Sequence, residues 1–183
     1  MRALATVSAL CLTVAGCGSS QRSAAPPQAR IAAALAGSPA PLAKLHAQAD
    51  ALVVSTPAAF KAVLASLHGY PVVVNKWGSW CGPCRMEFPA FQQASVQRGR
   101  TVAFLGLDGG DNAGDARGFL GQYPVSYPSY QDPDAHIAFA LNAGSYYPTT
   151  LFYDRSGKLA YLHAGPYPNS AALLADVARY LHA

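Results

Sequence analysis

Residues 72–91 read VVVNKWGSWCGPCRMEFPAF. The first six, Val72-Val73-Val74-Asn75-Lys76-Trp77, form a short, β-branched, mostly apolar run, which is the pattern of a central strand buried on both faces. Gly78 and Ser79 break it, and from Pro83 to about Gln97 the residues suit a helix. Pro83 lies in the first turn, where its missing N–H costs nothing, and Pro89 is placed to kink the helix. A cysteine at such a strand-to-helix junction sits at the positive end of the helix dipole, beside N–H groups that have no helical partner. The thiolate of Cys81 is therefore favoured, and Cys81 is expected to be the exposed, attacking thiol. Cys84, one turn further in, has the spacing to attack a mixed disulfide formed at Cys81, so the pair can exchange two electrons with a partner.

Two other readings of C-x-x-C compete. One is half of a zinc site, which needs two more Cys or His at suitable spacing, and the sequence holds no second C-x-x-C and no paired-His element. The other is a purely structural disulfide, but a loop this short stabilises little and is easily reduced.

Working outward, Leu42, Leu45, Ala49 and Leu52 recur at helical spacing. Thr56-Pro57 reads as an N-cap with proline at the first helical position, and Phe60, Val63, Leu64 and Leu67 line that helix until Gly69 stops it. Downstream, Thr101–Leu107 is a second buried strand, followed by a Gly-rich loop from Asp108 to Gly114 and a helix near Ala116–Gln122. The Pro- and Tyr-rich segment Tyr123–Pro133 contains a short extended stretch, and Asp134–Leu141 reads as helix. Thr149–Tyr153 and Leu159–His163 are strands joined by the turn Asp154-Arg155-Ser156-Gly157, and Asn169 or Ser170 caps a last amphipathic helix to Leu181. The order is βαβα, an insertion, then ββα: crossed parallel strands that give way to a terminal hairpin and a packed helix.

The whole chain has 183 residues, 51% apolar and 12% charged, with a net charge of +4. This fits one globular domain and argues against a disordered or nucleic-acid-coating protein. Behind Arg2, the apolar run Ala3–Ala15 is too short to span a bilayer and reads as a signal-peptide core. Val14-Ala15-Gly16-Cys17 resembles the bacterial lipobox, so Cys17 is the expected lipidation site. An ordinary secretory signal with a chance cysteine is the competing reading, and either one exports the chain. The expected organisation is a signal peptide over 1–16, a lipidated Cys17 and flexible Ser/Ala/Gln/Gly/Pro tether over 17–41, and a folded domain over 42–183.

The run from Val72 to Phe91 resembles the active-site segment of the TlpA/ResA/DsbE branch of the thioredoxin superfamily. The resemblance extends over most of Val72–Ala183 and includes the insertion between Asp108 and Ser145. It also includes Tyr147-Pro148-Thr149-Thr150, which is similar to the family's cis-proline loop. It implies an α/β, thioredoxin-like fold: a central mixed sheet flanked by helices, with the TlpA-type insertion. It also implies a cis Tyr147–Pro148 bond facing the cysteines, with backbone groups free to pair with an extended client segment. Trp80, Gly82 and Pro83 would line the same surface, with Trp77 packed beneath it.

The activity implied is that of a protein disulfide reductase acting outside the cytoplasm, with Cys81 and Cys84 as the dithiol and neither cofactor nor metal. Its partners would be disulfide-containing exported proteins, apocytochrome c among them, and a membrane thiol electron donor of the CcdA/DsbD type, with no nucleic acid. Gly82-Pro83 resembles the dipeptide of reducing thioredoxins, but direction is set by potential and partners, so a disulfide oxidase of the same fold remains open. So does a Sco-like copper protein, with His136 or His163 as third ligand, although such sites use a wider cysteine spacing. Nothing resembles a peroxidatic Pro-Thr-Cys environment.

Two residues depart from the family pattern. Asn75 stands where many thioredoxins carry a buried aspartate that takes the proton of the second cysteine, and Asn cannot do this. Lys76 replaces an aromatic or apolar strand residue and by alternation points away from Asn75. Glu87, one turn after Cys84, matches an acidic position frequent in this branch and is the candidate proton relay. Its alternative is a solvent-facing helix carboxylate. Asp108, Asp111 and Asp115 do not have calcium-loop spacing.

Overall fold

The computed structural model describes residues 28–183; Cys17, the signal segment and the first part of the expected tether lie outside them. Six strands form one sheet: β1 (Leu52–Val54), β2 (Val72–Trp77), β3 (Ala103–Gly109), β4 (Ser129–Asp132), β5 (Thr149–Tyr153) and β6 (Leu159–Ala164). Their spatial order is β1-β4-β3-β2-β5-β6. The β1–β4, β4–β3 and β3–β2 pairs are parallel, whereas the β2–β5 and β5–β6 pairs are antiparallel. The helices of the described residues are α1 (Gln28–Leu35), α2 (Ala40–His46), α3 (Pro57–Ser66), α4 (Gly82–Arg98), α5 (Ala113–Gln122), α6 (His136–Ala140) and α7 (Ser170–Leu181). None of the helices among the described residues is long and apolar enough to cross a membrane.

Alternation along β2 explains the two layers. Val73 and Trp77 enter the core under α4, α5 and α7, with Phe88, Phe91, Phe119, Leu173 and Val177. Val72 and Val74 enter the opposite core with Leu42, Phe60, Leu105, Ile137 and Leu151, under α2, α3 and α6. Asn75 therefore belongs to the α4 face and Lys76 to the other, as the alternation predicts.

The tether expected over 17–41 is corrected from Gln28 onward. Ile31 and Leu35 fall one turn apart on a helix, and Leu35 is buried where α1 packs against α4. Gly99 makes that approach possible, because a Cβ there would lie 2.7 Å from Leu35 Cδ2. Pro39 then leads into α2, so the packed unit begins before Leu42. The expected helix through Leu52 ends instead at His46; Asp50 takes a positive φ of 58°, and Leu52–Val54 forms an edge strand beside β4. Local periodicity cannot see that parallel pairing, whose partners are far apart in sequence.

β3 runs two residues beyond the expected end, which puts Asp108 in the sheet rather than in a loop. α5 starts early because the Asn112 side chain accepts hydrogen bonds from Gly114 N and Asp115 N, both at 3.0 Å. The extended stretch expected within Tyr123–Pro133 is β4, an interior strand between β1 and β3.

Candidate active site

Cys81 is the N-cap of α4, and its Sγ accepts a hydrogen bond from the Cys84 N–H at 3.1 Å. This first-turn donor has no helical carbonyl to pair with, so the helix terminus places its positive end on the sulfur. Cys81 and Cys84 are joined as a disulfide, with Cα atoms 5.2 Å apart. The expected exposure of Cys81 is corrected for this oxidised state: Cys81 is 3% exposed and Cys84 0%, both within the core cluster under α4. Gly82 and Pro83 are exposed between them.

The arm that delivers Cys81 is held from two sides. The Ser79 N–H donates to Asp111 Oδ2 at 2.6 Å and the Ser79 hydroxyl to Asp111 Oδ1 at 3.0 Å. Trp80 is 57% exposed, and its Nε1 donates to the Gly110 carbonyl at 3.1 Å. Its ring folds back over Gly78, where a Cβ would lie 2.7 Å from Trp80 Nε1. Trp77 lies beneath, fully buried, stacked on Phe119 with its Nε1 donating to Ser129 Oγ at 3.2 Å. Trp80 is thus exposed at the surface beside the cysteines, with Trp77 packed beneath it.

The Tyr147–Pro148 peptide bond is cis. The Tyr147 ring meets the Trp80 ring edge-on with centroids 4.8 Å apart, which brings the loop to the residue before Cys81. Pro148 is buried, and its carbonyl accepts from Gly165 N at 3.0 Å. Among the described residues, no backbone hydrogen bond uses the Tyr147 N–H or C=O. Exposed Met86 and Tyr146 add further apolar surface on α4 and on this loop.

Glu87 is not a solvent-facing carboxylate; it is 0% exposed on the inner side of α4. Its Oε2 accepts from Tyr167 N at 3.1 Å, whereas Oε1 has no hydrogen-bond partner. Burial pushes its pKa up to about 8, with the Tyr167 N–H and the nearby Asn75 amide pulling the other way. The Asn75 amide stands close enough to favour the charged carboxylate but completes no hydrogen bond with it. Asn75 is paired in register with Gly106 on one side and Thr150 on the other. Its amide, the Thr150 hydroxyl, the Tyr127 hydroxyl and Glu87 Oε1 form a buried polar group under α4 whose atoms lack partners. The Tyr127 phenol is raised well above its ordinary value by burial and by the nearby carboxylates.

Beside the Ser79 arm, Asp108 lies near the end of β3 with both carboxylate oxygens buried and unpartnered. Burial and the neighbouring Asp111 and Asp132 raise its pKa to about 8. Among the described residues, no group of three His, Cys, Asp or Glu side chains is arranged to hold a metal ion. Neither His136 on α6 nor His163 on β6, which lies 4.0 Å from Asp176, thus completes a copper set with the cysteines. Reading the sequence missed Asp111 and Asp108 as parts of the site. The only local signal was that Asp108 and Asp111 flank glycines after a buried strand, which reads equally well as turn chemistry.

The mixed sheet and the Cys-Gly-Pro-Cys disulfide heading α4 define a thioredoxin-like protein. The chain belongs to the AhpC/TSA family, which matches residues 37–162. A thiol:disulfide interchange protein DsbE homolog of Paracoccus denitrificans is 34% identical over 95 residues, 51% of this chain and 50% of the relative. The thiol-disulfide oxidoreductase ResA of Bacillus subtilis is 30% identical over 103 residues, 56% of this chain and 57% of the relative. The chain thus spans about half the length of the curated relatives it matches. Among solved structures, a putative thiol:disulfide interchange protein DsbE from Chlorobium tepidum superposes with a TM-score of 0.58 at 29% identity. That match covers 64% of this chain and 84% of the other.

Proposed function

We propose that this chain is an extracytoplasmic thiol-disulfide oxidoreductase, anchored to the membrane by a lipid on Cys17, that reduces disulfides of exported proteins. The observation that carries the reading is the Cys81 Sγ capping α4 beside the Tyr147–Pro148 loop. In the reduced protein, the Cys81 thiolate attacks one sulfur of a client disulfide, and the other client sulfur leaves as thiolate and takes a proton. Cys84 then loses its proton and attacks Cys81 Sγ. The second client sulfur leaves, and the client departs as a dithiol while Cys81–Cys84 closes. The disulfide in the structure is the state at the end of that cycle. A membrane thiol donor of the CcdA/DsbD type then returns two electrons. Cytochrome c maturation is the process we assign, with apocytochrome c as client.

Glu87 is assigned as the acceptor of the Cys84 proton. It is the buried carboxyl nearest in sequence on the same inner helix side, and its raised pKa, about 8, makes its ionised form a base strong enough to take a thiol proton near neutrality. Tyr147 and Trp80 are assigned to docking, with the free Tyr147 N–H and C=O pairing with an extended client segment.

The deciding experiment equilibrates the protein with glutathione buffers. A potential near −270 mV supports reduction, and one near −120 mV gives the oxidase reading instead. Cys84→Ser should accumulate mixed disulfides with clients; accumulation on Cys81→Ser in its place would reverse the roles of the two thiols.

A further inference from the structure

Lys76 is the one lysine of β2, and alternation sends it into the core under α3 and α6, where its strand neighbours Val72 and Val74 pack. It is 1% exposed. Burying an ammonium is costly unless charge or hydrogen bonds compensate, and a Met or Leu would fill such a place without that cost. Among the described residues no carboxylate lies within ion-pair distance of Lys76.

The charged and titratable groups that face it come from two directions. At the end of β4, Asp132 favours the ammonium from a distance, but its two oxygens are taken by the N–H groups of Ile137 and Ala138, each at 2.8 Å. Asp108, near the end of β3, pairs in register with Trp77 and so belongs to the opposite face of the sheet from Lys76. From the loop before β5 comes the Tyr147 phenol, itself raised by burial and by Asp132 and Asp108.

What Lys76 does contact is that loop. Its Nζ donates to the Gly144 carbonyl at 2.6 Å and lies 4.1 Å from the centroid of the Tyr147 ring. A cation over an aromatic face is attracted by the ring's quadrupole, more strongly where water is excluded. The same ring packs against Trp80, and its hydroxyl presses on the backbone at Gly109, where no Cβ could fit. Lys76 therefore ties the two ends of the Gly144–Tyr147 segment to the central strand, through a carbonyl at one end and a ring at the other.

Building on the docking role given to Tyr147 above, we propose that Lys76 is a positioning residue for client docking. Its ammonium fixes the Gly144–Tyr147 segment so that the Tyr147 N–H and C=O are presented beside Cys81, and that hold depends on its charge. Deprotonation leaves a neutral amine that can still donate to Gly144 but has no cation for the Tyr147 ring. Burial lowers the Lys76 pKa to about 8, so the hold weakens just above neutral pH, as the ammonium loses its proton.

The test uses the full chain in detergent, reduced beforehand, mixed rapidly with either a disulfide-bonded extended peptide or hydroxyethyl disulfide, between pH 6.5 and 9.5. The concentration dependence separates half-saturation from the maximal rate. For Lys76→Met at pH 7, half-saturation by the peptide should rise about tenfold, about 1.4 kcal/mol of docking free energy, with the maximal rate within about twofold. The second-order rate with hydroxyethyl disulfide, which needs no strand-like docking, should also stay within about twofold. The wild-type preference for peptide over the small disulfide should fall as pH passes about 8, toward a flat, low value in Lys76→Met.

Lys76→Arg keeps the charge at every pH in the range and should keep the preference up to pH 9.5. An unchanged half-saturation in Lys76→Met overturns the proposal, as does an equal loss toward both disulfides or the same pH dependence in both proteins. If the wild type reduces neither disulfide, the oxidoreductase reading itself fails and takes this inference with it.

Discussion

Replacing Glu87 by Gln removes a buried proton site while keeping a side-chain oxygen to accept the Tyr167 N–H. In the unfolded chain Glu87 ionises near 4.5, whereas in the folded protein it holds its proton to about 8. Between those values the folded state binds more protons than the unfolded one, so this group makes stability fall as pH rises. At about 1.4 kcal/mol per pH unit, the full displacement corresponds to up to about 5 kcal/mol, complete only above pH 8. Relaxation around the ionised carboxylate makes this an upper bound. Asp108 contributes a trend of the same sign, so the informative quantity is the difference between Glu87→Gln and wild type.

Urea unfolding of the oxidised proteins from pH 5 to 9 should show the variant gaining on wild type as pH rises, by several kcal/mol at pH 9. In the reduced protein, single-turnover release of a client from Cys81 should slow by about 10²-fold near neutral pH, the usual scale for a lost general base, while the first attack changes little. Introducing Asn75→Asp should restore part of that rate by returning a carboxylate to the same buried polar group. A difference curve flat in pH would refute the burial argument. A resolution step unaltered in rate and pH profile would refute the relay, leaving solvent as the proton acceptor.

Other parts of the molecule make separate predictions. Asp111→Ala removes both acceptors of the Ser79 arm and should cost about 1–3 kcal/mol, read as a lower Tm, with altered Trp80 fluorescence because the arm carries that ring. Gly99→Ala should lose about 1–3 kcal/mol and expose residues 28–35 to limited proteolysis. The added Cβ meets Leu35 of α1 and His46 of α2 and stands closer still to the Ser95 carbonyl, so a shift of Leu35 alone cannot absorb it. An uncleaved α1 in that variant would refute the packing role of Leu35. Palmitate labelling should mark the wild-type chain and not Cys17→Ala, which should leave the membrane fraction; an unlabelled, soluble wild type would sink the anchor.

The redox pair was legible from residues 72–91 alone because its chemistry is local. A β-branched run, a glycine break and a proline-bearing helix start suffice to put Cys81 at the cap and Cys84 one turn inside, and strand alternation suffices to put Asn75 and Lys76 on opposite faces. Only the tertiary structure decided what surrounds that pair, because those contacts join residues far apart in the chain. Asp111 reaches Ser79 across 32 residues, Lys76 reaches Gly144 across 68 and Glu87 reaches Tyr167 N across 80. The parallel pairing of β1 with β4 and the docking of Leu35 against Gly99 are of the same kind. A glutamate one turn past Cys84 reads alike in sequence whether it faces water or core. The return of the chain over α4, through Tyr167 and α7, buries it, and that burial turns an ordinary helix carboxylate into a group that holds its proton near neutrality.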